Sequence, residues 1–358
     1  MAEGSWKNWA ESKNVFLVGG PGGVGKTTLA AVLGIQLARA GYKTLVLTVD
    51  PAKRLAQALG FNEGFKSELQ PVGLPPGTTG SLHASMLDAQ RYFDKLIDKF
   101  ARDSAQKERI LANPLYRGMV DGLSGTQEYA AMERLLEFST DTRFDKVVVD
   151  TPPTQNAVDL LSAPQRMADF MDNSVLKWFQ GPKPLYFQFF RQGTRLAMKL
   201  IQKIFGAEFL EKFSKFMDDL EGMQAGFRSR NLEVLELLRS ARTAFLLVTY
   251  PSEARYVESV SFLKTLKENR IELAGLILNR LEPFCPSEEN IAASISEPER
   301  QAFLDLFRYL HSLYAQQQHW VSKFREAAGT VPSLCLERQE GEIHDVSTLS
   351  QLGDLLLK

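Results

Sequence analysis

Gly20-Pro21-Gly22-Gly23-Val24-Gly25-Lys26-Thr27 sets glycines, a lysine and a hydroxyl at the spacing G-x-x-x-x-G-K-[ST]. Glycines so placed let successive backbone N–H groups converge on one anion, and the lysine reaches the outer phosphates. The Thr27 hydroxyl stands where a Mg²⁺ ligand is needed. Gly20, Gly22, Gly23, Val24, Gly25, Lys26, Thr27 and Thr28 are therefore expected to cradle the phosphates of a nucleoside triphosphate. Two carboxylates fit the same chemistry. Asp50 follows the hydrophobic run Thr44–Val49, and Asp150 follows Lys146–Val149. The first can orient or deprotonate a water attacking a γ-phosphate; the second can hold the metal or its waters. Either aspartate alone reads as a helix cap or turn residue. Together, each closing a buried strand in one P-loop chain, they read as a catalytic pair.

Such groups need a strand, a loop and a helix in that order. Asn14–Val18 is a β-branched and aromatic run, as a buried parallel strand is, and Leu29–Ala40 repeats apolar residues at helical spacing before Gly41. Further strands are expected at Thr44–Val49, Leu82–Leu87, Lys146–Val149, Thr243–Val248, Gly275–Leu278 and Val331–Leu336, with Pro71–Ser81 as a connector. Ala89–Phe138 is helical, broken near Asn113-Pro114 and between Gly122 and Gly125; Asp159–Leu237 is helical and rich in Phe, Met and Leu. Helices also read at Glu253–Asn269 and Glu299–Ala328, the latter with Phe303, Phe307, Leu310, Leu313 and Tyr314 facing inward. The fold class is α/β, a doubly wound, mostly parallel sheet within one domain over 1–358. The stretches 89–138 and 159–240 insert as a helical subdomain.

Composition sets outer limits. With 44% hydrophobic and 24% charged residues the chain is ordinary for a globular protein, so gross disorder is excluded. A formal net charge of -1 offers no attraction to nucleic acid or anionic lipid, so no nucleic-acid partner is expected. Cys285 and Cys335 are far apart and lack metal-ligand spacing, which fits a reducing, cytoplasmic setting. No leader pattern and no integral membrane segment is read, and Val346–Lys358 is poor as a membrane-surface helix.

GGPGGVGKTT, VDPAKRLAQALG and VDTPPTQNAVDLLSAPQRM together resemble the ArsA-type ATPases. This family includes the arsenical pump ATPase and the guided-entry ATPase that targets tail-anchored membrane proteins. The likeness continues through ANPLYRGMVDGLSGTQEYAAMERL, VTYPSEARYVESVSFLKTLKENRIELAGLILNRL and GEIHDVSTLSQLGDLL, nearly the whole chain, and is strongest to the bacterial single-chain branch. It implies a deviant-Walker P-loop fold and a dimeric, Mg²⁺-dependent ATPase. Lys26 and Thr27 then hold phosphate and metal, Asp50 is the switch I carboxylate and Asp150 the switch II, metal-side carboxylate. Asn279 matches the asparagine that recognises adenine, and an amide can both donate to and accept from a purine edge. Cys335–Ile343 is implied to wall the base pocket.

The chain departs from the family pattern where function is decided. Pro21 stands where the family carries a signature lysine that reaches the partner subunit's nucleotide. The C-x-x-C zinc staple between subunits and the metalloid-binding cysteines are both missing, which argues against arsenite as effector. Thr154-Gln155-Asn156 replaces the Gly-His pair of the targeting ATPase. The stripes Leu196, Leu200, Ile204, Phe205 and Phe209, Phe213, Phe216, Leu220, Met223, Phe227 read either as core or as a groove for an apolar helical client. The expected activity is a dimeric ATP-hydrolysing switch, homo- or heterodimeric, coupled to a protein client or partner. The alternatives are a low-turnover nucleotide-binding subunit of a heterodimer and a MinD- or ParA-like positioning ATPase; the missing basic membrane helix weakens the last.

Overall fold

The computed structural model describes residues 11–49, 54–61, 68–122, 125–151, 163, 166, 207–220, 222–284, 297–339 and 345–356. Asp50, Lys53, Thr154–Asn156, Leu196–Phe205, Cys285 and residues 340–343 lie outside these, so the expectations resting on them stay with the sequence.

Eight strands form one sheet. In chain order they are β1 (Val15–Gly19), β2 (Lys43–Thr48), β3 (Gln70–Pro71), β4 (Ser81–Met86), β5 (Lys146–Asp150), β6 (Thr243–Thr249), β7 (Leu273–Leu281) and β8 (Ser333–Glu337). Their spatial order is β3-β4-β2-β5-β1-β6-β7-β8, and every pairing is parallel except β3 with β4. The carboxyl ends of the seven parallel strands therefore share one edge, where open α/β sheets bind ligands. β1, β5 and β6 are buried along their whole length, which explains why they read as continuous apolar runs rather than alternating ones. β3 lies inside the region read as a connector. It is only two residues long and includes Pro71, which an edge strand tolerates because no ladder N–H is demanded of it.

Helix α1 (Lys26–Arg39) follows β1 and is almost wholly buried. The last helix of the chain, Val346–Leu356, packs on it. Arg39 pairs with Asp354 at 2.6 Å, and Gln36 Nε2 donates to the Ser350 carbonyl. The mild amphipathicity of the C-terminus is thus spent on the P-loop helix. Among the described residues no helix is long and apolar enough to cross a membrane.

The chain divides into two compact units, residues 1–87, 135–161 and 237–358 forming one and residues 88–134 and 162–236 the other. The second contains α3 (Ala89–Phe100), α4 (Ser104–Ala112), α5 (Pro114–Gly122) and most of α6 (Thr126–Ser139), α7 (Ala207–Asp219) and α8 (Gln224–Arg239), α2 being the short Arg54–Ala58. Asp88 and Asp103 cap α3 and α4 by accepting from the N–H groups of Arg91 and Gln106. Asn113 ends α4, and Pro114 opens α5, where a missing N–H costs nothing.

The interior of this unit holds a polar knot. Glu133 is fully buried, accepts from Tyr129 Oη at 2.9 Å and pairs with Arg230 at 2.9 Å. Burial, and then the adjoining Glu133 carboxylate, hold the Tyr129 phenol protonated far above the usual tyrosine range. Around the knot, Phe216, Met217, Leu220, Met223 and Phe227 are each at most 3% exposed. That part of the Phe/Met stripe is core. Met217→Ser is expected to cost about 3 kcal/mol or more through the lost burial and the cavity. Phe213→Ser, at a half-buried site, costs less. Urea unfolding of both variants checks the ranking, and equal midpoints would contradict it.

One expectation is corrected. On α10 (Glu297–Ala328), following α9 (Glu253–Glu268), Phe303 is 45% and Leu310 38% exposed, beside exposed Leu306 and Tyr309. Periodicity reveals an apolar face without revealing what covers it. Phe307, Leu313 and Tyr314 are half-buried, and Gln317, Val321 and Phe324 are buried, in the half of the helix that lies along the sheet unit.

Candidate nucleotide-binding site

The loop leaving β1 passes close to its neighbour strand. A Cβ built on Gly20 would lie 1.9 Å from the Val248 carbonyl oxygen of β6, at a φ of +147°, so only glycine fits. Gly25 caps α1 in the left-handed region, φ 96°, with no side chain bonded to the first turn. The opening N–H groups of α1 thus receive no side-chain cap, and no acidic residue sits in that turn. A helix N-terminus of this kind favours an anion through its donors and its dipole.

Lys26 is buried, and its Nζ donates to the Pro21 carbonyl at 2.8 Å, which holds the ammonium over the loop. Asp150 ends β5 in register with both Val18 of β1 and Thr48 of β2. It is fully buried, and its Oδ2 accepts from Thr48 Oγ1 at 3.0 Å. The next residue, Thr151, donates its hydroxyl to the Val18 carbonyl at 2.9 Å, which ties the start of the following loop to the P-loop strand. Thr48 and Thr151 escaped the sequence reading. Thr48 carried a weak signal, a hydroxyl at the end of the run Leu45–Leu47 that Thr44 also flanks; Thr151 carried none.

Asn279 is brought to the same place from β7. Its Nδ2 donates to the Val24 carbonyl at 2.8 Å, and a Cβ on Gly25 would lie 2.5 Å from that nitrogen. Its Oδ1 accepts from the Arg280 N–H at 2.9 Å. Glycine at 25 is thus demanded twice, by its φ and by the approach of this amide. Cys335 on β8 stands opposite Leu278, one residue before Asn279. Burial raises its thiol pKa, although Arg325 lies beside the sulfur, so it stays a thiol. The structure brings together the P-loop, Lys26, Asp150 and Asn279.

A family model described as an anion-transporting ATPase matches residues 13–358. The chain belongs to the ArsA-type anion-transporting ATPase family. ATPase GET3B of Arabidopsis thaliana is 28% identical over 317 residues, covering 83% of this chain and 71% of that protein. ATPase ASNA1 homolog 2 of Paramecium tetraurelia is 23% identical over 368 residues, covering 99% of this chain and 98% of its own length. A putative arsenical pump-driving ATPase of Halobacterium salinarum is 33% identical over 172 residues, 45% of this chain and 25% of that protein.

The residues present fit the Mg²⁺-nucleotide that an anion-transporting ATPase implies. The donors are a hydroxyl, Thr27, and a carboxylate, Asp150, hard oxygen ligands of the kind Mg²⁺ takes alongside phosphate oxygens and water. Gly20 and Gly25 let the loop run tightly against β6 and Asn279, since a Cβ at either would collide with the Val248 carbonyl or the Asn279 amide. Bound there, the metal would neutralise charge on the outer phosphates; Lys26 and the α1 N–H groups add to that neutralisation.

Proposed function

We propose that this chain binds Mg·ATP at Gly20–Thr28 and Asn279 and hydrolyses it as a dimeric switch whose nucleotide state controls a protein client or partner. The observation that carries the reading is the Asn279–Val24 hydrogen bond, which makes base recognition and phosphate cradle one unit. Asn279 has spent one N–H on Val24 and one lone pair on Arg280. One N–H and one lone pair remain, which match N7 and the amino group of adenine. Guanine would set its O6 against the Asn279 oxygen. In this reading Lys26 stabilises the transferring phosphoryl group, Thr27 and Asp150 serve the metal, and Asp50 positions the water. The helical unit would carry the client-binding face, and the cytoplasm is the setting that the two scattered cysteines suit.

Calorimetric titration tests the site. Mg·ATP should bind about tenfold or more tightly than Mg·GTP, the discrimination of one bidentate amide. Asn279→Ala should remove the preference, whereas Lys26→Ala should weaken both nucleotides alike. Equal affinity of the parent for ATP and GTP would sink the assignment. A second reading, a low-turnover nucleotide-binding subunit, is favoured by Pro21 and shares the same binding predictions.

A further inference from the structure

Asn279 reads a base only if its amide is held in one orientation, and the backbone that presents it is strained. Arg280, the next residue, has a φ of 58°, a left-handed conformation rare outside glycine. Pairing of β7 with β8 also slips between Leu278 and Leu281. Such geometry persists only where the surroundings over-determine it. One side chain supplies that constraint from another element. Gln317, in the middle of α10, is 5% exposed and spends both ends of its amide on this bend. Its Oε1 accepts the Glu282 N–H at 2.7 Å, and its Nε2 donates to Tyr250 Oη at 3.0 Å and to the Arg280 carbonyl at 3.4 Å. Tyr250 directly follows β6, whose Thr249 pairs with Leu278. Gln317 therefore ties α10, the end of β6 and the bend of β7 together directly behind Asn279.

We infer that Gln317 is a positioning residue for base selection, clamping the Arg280–Glu282 bend so that the Asn279 amide keeps its adenine-reading orientation. The inference rests on the reading of Asn279 above. Gln317 acts through the backbone on either side of Arg280 rather than on the nucleotide itself. A residue that merely stabilised the fold would lower affinity for every ligand. A positioning residue changes the choice between bases and leaves phosphate binding alone.

The test uses the full chain and three titrants: Mg·ATP, Mg·GTP, and Mg·tripolyphosphate as a base-free probe, with thermal melting alongside. Gln317→Leu keeps the volume and removes both amide functions. It should lower the ATP-over-GTP ratio by about fivefold or more, most of what one bidentate contact provides, while tripolyphosphate affinity stays within about twofold of the parent. Combined with Asn279→Ala it should lower the ratio no further than Asn279→Ala alone, because both act on one contact. A folded Gln317→Leu with the parent's ratio, where Asn279→Ala has lost it, overturns the positioning role and leaves the base reading intact. A ratio unchanged in Asn279→Ala overturns the base reading and this inference with it. Should Gln317→Leu fail to fold, Tyr250→Phe removes only the phenol oxygen that Gln317 Nε2 meets. It should shift the ratio in the same direction by a smaller factor, and an unshifted ratio overturns the proposal.

Discussion

Asp50→Asn is expected to lower ATP turnover by about 10²- to 10⁴-fold, the range that a positioned general base contributes, while Mg·ATP affinity stays within a few-fold. The amide matches the carboxylate in shape but cannot accept the proton of the attacking water. Asp50 closes the run that leads out of β2, and β2 pairs with β5, whose Asp150 is bonded to Thr48. Val49, the residue before it in sequence, donates its N–H to the Asp150 carbonyl. Single-turnover hydrolysis and calorimetry on the same preparation separate chemistry from binding. Turnover unchanged in Asp50→Asn would remove this residue from the chemistry. A parent with no turnover above background would instead favour the binding-subunit reading.

Pro21→Lys is expected to raise turnover on the order of 10³-fold if the chain works as a homodimer, the scale of a cation supplied in trans to phosphoryl transfer. Proline contributes neither charge nor N–H at this position. The Lys26–Pro21 hydrogen bond uses the backbone carbonyl, so the exchange leaves that contact in place. Pro21 is buried in the single chain, and melting curves therefore accompany the rate measurement to separate a misfolded loop from an absent gain. The natural route to the same cation is a related partner chain that keeps its lysine, giving a heterodimer with one completed site. Brisk turnover of the chain alone that Pro21→Lys does not raise defeats that route. Its loss in Lys53→Ala or Arg54→Ala would assign the cation to the same chain.

Much of the site was legible because its chemistry is local. A phosphate cradle needs glycines, a lysine and a hydroxyl within eight residues, and Gly20–Thr27 states that outright. Strand character was equally visible in VFLVG and KVVV, since strands buried on both faces carry no polar residue to break the run. The inward face of α10 was misread at Phe303 and Leu310, because an apolar stripe looks the same whether a sheet, a partner or water lies against it. The two-residue β3 was missed for a similar reason: pairing, not composition, makes Gln70-Pro71 a strand.

The sequence by itself determined the family, the fold class and the order of most elements, all of which depend on residues close together along the chain. Tertiary structure alone decided that Asn279 meets Val24 across 255 positions and that Thr48 bonds Asp150 across 102. It alone decided that one glutamine of the run Gln316-Gln317-Gln318 is buried against the β7 bend. Hydrogen-bond partners of that kind are selected by the register of parallel strands and by the rotation of a helix about its axis. Neither leaves a mark on residue type: the three glutamines are identical in sequence, and only the fold separates the one that faces inward.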